Sequence, residues 1–185
     1  REFIEQHHPR SAVLAGGGFI GVELMENLRE LGIDVTVVQR PRQLLNPLDA
    51  DMAAFLHAKL RQKGVRLHLG CTVEGFAANG DRVNVLLKDE APLTADMVVL
   101  AIGVTPDTGL AKAAGLELGI KGSILVNDRM ETSAPDIYAV GDAVQVKHFV
   151  TGQDTLLSLA GPANKQGRIA ADNICGGDSR YPGSQ

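Results

Sequence analysis

The chain has 185 residues, 44% of them hydrophobic and 22% charged, with a mean hydropathy of +0.02; this composition can build a packed core and excludes disordered and collagen-like classes. With 18 Lys and Arg against 22 Asp and Glu the net charge is -4, so the basic face that a phosphate backbone requires is missing and nucleic acid is not an expected partner. No apolar run approaches the ~20 residues of a membrane span and the stretch from Arg1 to Arg10 lacks the apolar centre of a secretory signal, so a cytoplasmic protein with no membrane partner is expected. The two cysteines, Cys71 and Cys175, are too few and too far apart for a disulfide framework, a zinc site or a C-x-x-C pair. The histidines, His7, His8, His57, His68 and His148, show no metal-ligand spacing beyond the adjacent pair His7-His8, and no metal is expected.

Ser11 to Ala15 is short and apolar and runs directly into Gly16-Gly17-Gly18-Phe19-Ile20-Gly21, after which Leu24, Leu28 and Leu31 recur at helical spacing. The reading is strand, glycine turn, helix, with Gly32 as the stop. Asp34 to Gln39 is a β-branched apolar strand, which closes a βαβ unit of about 30 residues. After a polar turn from Arg40 to Pro47, Asp49 is placed to cap a second helix whose apolar stripe is Met52, Phe55, Leu56 and Leu60, ended by Gly64. Val65 to Leu69 is a third parallel strand. Cys71 to Phe76, Arg82 to Lys88 and Ala91 to Thr94, separated by turn signals such as Asn79-Gly80, read as a small antiparallel meander. Met97 to Ile102 returns as a buried strand. From Asp107 the pattern changes to a short helix, Thr108 to Ala114, a strand around Ile124 to Val126, an apolar strand Ile137 to Val140 and a helix Ala163 to Ile174. Gly176 to Gln185 reads as a linker-like end.

A dinucleotide pyrophosphate needs backbone N–H donors at close range and the positive end of a helix dipole. Glycines clear side chains from that position: Gly16 for the tight turn, Gly18 for close approach of the phosphates, Gly21 for tight packing of helix on strand. The G-x-G-x-x-G string alone is a weak signal, but here it follows a strand and opens an amphipathic helix inside a βαβ unit. The acid that usually takes the ribose 2′-hydroxyl is replaced by Gln39, 18 residues beyond Gly21. Glutamine can accept a hydrogen bond without repelling a 2′-phosphate, and Arg40 and Arg42 lie just beyond. Those arginines read equally as phosphate ligands or as solvated turn residues, so the cofactor is written NAD(P)H.

The segment Thr132-Ser133-Ala134-Pro135-Asp136-Ile137-Tyr138-Ala139-Val140-Gly141-Asp142-Ala143 is an apolar strand that ends in Gly-Asp. Together with the glycine turn upstream, the chain resembles the FAD-dependent pyridine nucleotide-disulfide oxidoreductases, in which a T-x-x-P-x-I-Y-A-x-G-D segment closes on FAD. Leu159-Ala160-Gly161-Pro162-Ala163-Asn164-Lys165-Gln166-Gly167-Arg168 is similar to the branch of coenzyme A-disulfide reductases, coenzyme A-persulfide reductases and NADH oxidases.

The resemblance implies an α/β fold: a Rossmann-like three-layer NAD(P)-binding domain with parallel sheet and antiparallel meander over 1–107, followed by the C-terminal part of an FAD-binding domain over 108–185. It further implies that Ala101-Ile102-Gly103 lies by the nicotinamide nucleotide, that Phe19 lids the nicotinamide pocket with Ile20 beside it, and that Glu23 neighbours the ring. Without the family, Phe19 is a packed aromatic at a helix start and Glu23 a solvated carboxylate. Asp142, flanked by Gly141 and Ala143, would accept a hydrogen bond from the flavin ribityl chain, or else cap the following turn. The helix beginning near Pro162 would aim its N-terminus at the flavin ring, with Ala160 just ahead of it among the cofactor-binding residues.

The family also places its redox cysteine and first FAD motif ahead of the NAD(P) domain and a dimerisation domain after the FAD segments. The chain is therefore expected to be an internal part of a homodimeric NAD(P)H oxidoreductase. No catalytic residue is expected within it, and Cys71 and Cys175 are taken as structural thiols. Such an enzyme would pass hydride from NAD(P)H to FAD and on to a small disulfide, a persulfide or oxygen. This stretch alone should bind NAD(P)H, hold FAD poorly and reduce no disulfide. Two other readings stay open, a ferredoxin- or rubredoxin-reductase-like flavoprotein and a non-catalytic nucleotide-sensing module.

Overall fold

A computed structural model describes residues 1–184, in two compact units, Arg1–Gly103 and a second from Val104 onward. In the first unit, α1 (Glu2–His7) precedes β1 (Ser11–Ala15), α2 (Phe19–Glu30), β2 (Asp34–Gln39), α3 (Ala50–Gln62) and β3 (Arg66–Leu69). The chain then forms β4 (Val73–Asn79), β5 (Arg82–Leu87) and β6 (Leu93–Ala95) before closing with β7 (Met97–Leu100). The parallel sheet has the order β3-β2-β1-β7, and β4-β5-β6 is a separate antiparallel meander.

Alternation along the central strands explains the three layers. Ala12, Leu14, Val35 and Val37 bury against Met25, Leu28 and Leu60 of the two helices. Their neighbours Val13 and Val38 point the other way, into a cluster with Cys71, Val85, Leu87 and Ala95 under the meander. A strand buried on both faces is apolar along most of its length, as Ala12 to Ala15 of β1 and Val35, Val37 and Val38 of β2 are, with Thr36 the one buried polar side chain among them. At the N-terminal end of the sheet, the Asp96 carboxylate accepts the backbone N–H groups of Arg10 and Ser11, each at 2.9 Å, and the Arg82 Nε–H at 2.9 Å. These bonds hold the Asp96 carboxyl below the usual carboxylate range, the Ser11 hydroxyl being the foremost contributor.

Two expectations for α3 are corrected. Asp49 occupies the N-cap position but makes no side-chain cap bond; Asp51, in the first turn, instead accepts the Met52 N–H at 2.8 Å. Met52 and Phe55 are 56% and 74% exposed, and the inward line of the helix is Ala53, Leu56, His57 and Leu60. Counting only large apolar residues passes over Ala53 and His57, which occupy the inward positions.

The second unit contains α4 (Gly109–Ala113), β8 (Ile124–Leu125), β9 (Val144–Lys147), β10 (Asp154–Thr155) and α5 (Ala160–Ile174). Strand β9 pairs parallel with β8 and antiparallel with β10, and Met130, Val144, Val146, Ile169, Ala170 and Tyr181 form its core. Ile137 to Val140 is not a strand: it makes only an isolated bridge, Tyr138 to Glu131, and Ile137 and Val140 stay exposed because no strand lies alongside to form a ladder. Nor do residues 176–184 form a free linker. Tyr181 is buried, its N–H donates to Asp128 O at 2.7 Å, and the Phe149 N–H donates to Ser184 O at 2.8 Å. The buried Asn173 amide clamps the same segment, donating to Arg129 O and Ser179 O and accepting from the Ser179 N–H, all at 2.9–3.0 Å.

Candidate functional site

The turn after β1 is made by close backbone contact. Gly16 donates its N–H to Val38 O at 2.9 Å; its φ is +111°, and a Cβ there would lie 2.2 Å from the Ala101 carbonyl oxygen. A Cβ at Gly21 would lie 2.2 Å from the Gly16 carbonyl oxygen, so α2 packs directly on the turn. Gly18 differs: its backbone is extended and a Cβ would meet nothing within 4 Å. The first turn of α2 has no side-chain cap, so no side chain of the N-cap residue occupies its leading N–H groups.

Gly16, Gly18, Gln39, Arg40, Ile102 and Gly103 line one cavity of about 550 Å³ at the C-terminal ends of the parallel strands. That is where open α/β sheets bind ligands, and the volume falls in the ~300–1,000 Å³ span of small-molecule sites. Gln39 is fixed in it. The Gly17 N–H donates to Gln39 Oε1 at 2.8 Å, and because that partner can only donate, the amide orientation is settled: Nε2 remains as a donor at the cavity wall. The sequence identified Gln39 as an acceptor for ribose. Its carbonyl also braces the glycine turn, a contact that the spacing did not predict.

Phe19 and Ile20, 60% and 58% exposed, project from the start of α2, and Glu23 lies one turn beyond Phe19 on the same face. None of the three lines the cavity. Ile102 is also largely exposed, at 76%.

Sequence reasoning missed three participants. Leu44, fully buried, sets its Cδ2 where a Gly17 side chain would otherwise go: a Cβ at Gly17 would lie 2.1 Å from it. Leu45 donates its N–H to Gly17 O at 2.9 Å. His57, on α3, accepts the Leu44 N–H on Nε2 at 3.1 Å. The proline-bounded stretch Arg40 to Pro47 was the one signal of a constrained segment here. Cys71 also lines the cavity, and burial, followed by its hydrogen bond to Glu90, pushes its thiol pKa up. A thiol held protonated in this way is a poor nucleophile.

In the second unit, Gly141 has φ +82° and donates its N–H to Gln166 Oε1 at 2.7 Å, Gln166 being fully buried on α5. This bond ties the Gly141-Asp142-Ala143 turn to α5. Asp142 is exposed and, among the described residues, its carboxylate has no hydrogen-bond or ion-pair partner. Ala160 opens α5, whose 15 residues begin without a side-chain cap. A flavin fits this donor set: a free carboxylate for hydroxyl groups and uncapped helix N–H groups for an electron-rich ring.

The βαβ unit, the glycine turn and the cavity beside it define an α/β dinucleotide-binding protein. The chain belongs to the pyridine nucleotide-disulphide oxidoreductase family, whose sequence profile matches residues 1–167. It is 35% identical over 184 residues to the NAD(P)H sulfur oxidoreductase (CoA-dependent) of Pyrococcus abyssi (strain GE5 / Orsay), covering 99% of this chain and 41% of that protein. The crystal structure of reduced Bacillus anthracis CoADR-RHD superposes with a TM-score of 0.93 at 48% identity, covering 99% of this chain and 33% of that one. The water-forming NADH oxidase of Lactobacillus brevis bound to NADH superposes with a TM-score of 0.89 at 31% identity, covering 97% and 40%. The chain thus spans about two fifths of the curated relative's length. No described helix is long and apolar enough to cross a membrane.

Proposed function

We propose that residues 1–107 form the NAD(P)H-binding domain, and residues 108–185 the C-terminal part of the FAD-binding domain, of a flavin-dependent NAD(P)H oxidoreductase. The observation that carries this reading is the Gly18 cradle, an extended, unobstructed backbone facing the uncapped first turn of α2 at the mouth of the cavity. A pyrophosphate there accepts from the leading N–H groups and lies at the positive end of the helix dipole. Gly16 and Gly21 hold strand and helix close enough to make the cradle, and the Gln39 Nε2 donor faces the ribose. Ile102 and Gly103 form the wall nearest the nicotinamide, with Phe19, Ile20 and Glu23 on the side of α2. A donor rather than a carboxylate at Gln39 suits both a ribose hydroxyl and a 2′-phosphate, so both NADH and NADPH are accepted.

Gly141, Asp142, Ala143 and Ala160 are the flavin-binding residues of this chain. Asp142 accepts from a ribityl hydroxyl and the α5 N-terminus favours the electron-rich ring. When bound, the flavin supplies the hydride-accepting chemistry that a nicotinamide cofactor needs; the protein supplies position and field. The acceptor beyond the flavin is a small disulfide, a persulfide or oxygen, in a homodimeric cytoplasmic enzyme. Calorimetric titration of the chain with NADH and NADPH tests the reading. Saturable 1:1 binding of both supports it, and absence of binding of either contradicts it.

A further inference from the structure

Resting on the reading of the glycine turn as a dinucleotide site, we propose that His57 is a positioning residue for that turn: its neutral imidazole seats the 40–48 segment against Gly17, and protonation releases it. The chain of contacts is continuous. His57 Nε2 accepts the Leu44 N–H at 3.1 Å, the next residue, Leu45, donates to Gly17 O at 2.9 Å, and Leu44 Cδ2 fills the space beside Gly17. On its other side the Gly17 N–H is held by Gln39 at 2.8 Å. Gly17 is thus gripped at its N–H by the residue facing the ribose and at its carbonyl by the segment that His57 anchors. Gly18, where the phosphates approach, is the next residue.

The chemistry of the contact is one-directional. A backbone N–H only donates, so Nε2 is the unprotonated nitrogen and the ring carries its proton on Nδ1. Adding a second proton turns Nε2 into a donor facing a donor, and the bond is lost. Around the ring, Arg61 on α3 is the charged group whose field acts on it, and residues 40–48 contain no Asp or Glu to stabilise an imidazolium. Burial first, and Arg61 second, hold the His57 pKa below the ordinary histidine value of 6.5. The neutral form is therefore the native one, and the contact is complete above pH 6.5 and is lost as pH falls through the lowered folded value. His57 lies outside the cavity lining, so it acts through Leu44 and Leu45 without touching the dinucleotide.

The test has two readouts on the whole chain. In 15N-labelled protein without ligand, the Leu44 and Gly17 amide resonances and the His57 ring are followed from pH 7.5 to 5. In parallel, NADH affinity is measured by calorimetry over the same range for the wild type, His57→Gln and His57→Phe. The proposal expects the two amides to titrate with the ring and the affinity to fall about fivefold to tenfold on the acid side, the equivalent of one such hydrogen bond. His57→Gln, whose Oε1 accepts the same N–H, should rescue binding relative to His57→Phe and remove the acid loss. Amides that ignore the ring, or an acid loss that persists in His57→Gln, overturn it. Should NADH fail to bind at any pH while the amides still follow the ring, the dinucleotide reading falls and the inference about binding falls with it. The coupling of His57 to Gly17 would then stand as a property of the fold alone.

Discussion

The glycines of the turn do different jobs, and substituting each by alanine separates them. At Gly18 the backbone is extended at φ -78°, which any residue adopts, and the added Cβ meets no protein atom within 4 Å. Gly18→Ala should therefore leave the unfolding free energy unchanged within about 0.5 kcal/mol. The methyl stands in the space from which a pyrophosphate accepts the first N–H groups of α2, and holding it off by an ångström removes one or two charge-assisted hydrogen bonds. At roughly 1.5–3 kcal/mol each, the loss of a single one already lowers affinity about tenfold to hundredfold, and the loss of both lowers it further. At Gly16 the order reverses. Its φ of +111° strains an L-residue and the Cβ lands 2.2 Å from the Ala101 carbonyl oxygen, a backbone atom with no rotamer to retreat into. Strain of about 1–3 kcal/mol plus the collision should cost Gly16→Ala about 3 kcal/mol or more of stability. Urea denaturation gives the first quantity and NADH calorimetry the second. Wild-type NADH affinity in a fully folded Gly18→Ala protein would refute the assignment of the phosphate seat.

Three further outcomes follow from named contacts. Gln39→Glu keeps one oxygen for the Gly17 N–H and turns the outward donor into an acceptor; NADPH affinity should fall about tenfold or more relative to NADH, as a carboxylate repels a 2′-phosphate, and an unchanged ratio in paired titrations would place the ribose elsewhere. Asp96→Asn weakens the charge-assisted bonds at the base of the sheet, at a cost of about 2 kcal/mol at pH 7. Because the folded Asp96 pKa lies below its unfolded value, this contribution is full above pH ~4 and lost as pH falls through the folded value, so wild type and variant should converge in acid melts. Gly167→Ala, in the interior of α5 where a Cβ meets nothing within 4 Å, should stabilise by about 0.5–1 kcal/mol, read by thermal melting.

The first unit was legible because its signals are local. Apolar runs next to glycine specify β1 and β2, Val65, Leu67 and Leu69 between Gly64 and Gly70 specify β3, and the Asn79-Gly80 turn specifies the hairpin of β4 and β5. The second unit was harder, since its strands are two to four residues long and draw their register from distant partners. Ile137 to Val140 has a strand's composition but no neighbour to pair with, whereas Val144 to Lys147 has one and becomes β9. Residues 176–184 look like a tail until the Asn173 clamp and the buried Tyr181 are seen, and neither is a pattern in sequence. At the candidate site, the glycine spacing pointed directly to Gly16 and Gly18, which line the cavity, and to Gly21, which packs on the Gly16 carbonyl. The grip of Gln39 on Gly17 and of His57 on Leu44 spans 22 and 13 residues and depends on side-chain direction, which periodicity does not encode.

The central claim, that the turn after β1 seats the dinucleotide, is tested most directly by titrating the 15N-labelled chain with NADH and mapping the amide shifts. The largest changes are expected at Gly16 to Gly21, Gln39, Ile102 and Gly103. Saturable binding whose shifts fall instead on the groove between α2 and α3, at Met25, Arg29 and Leu60, would contradict it.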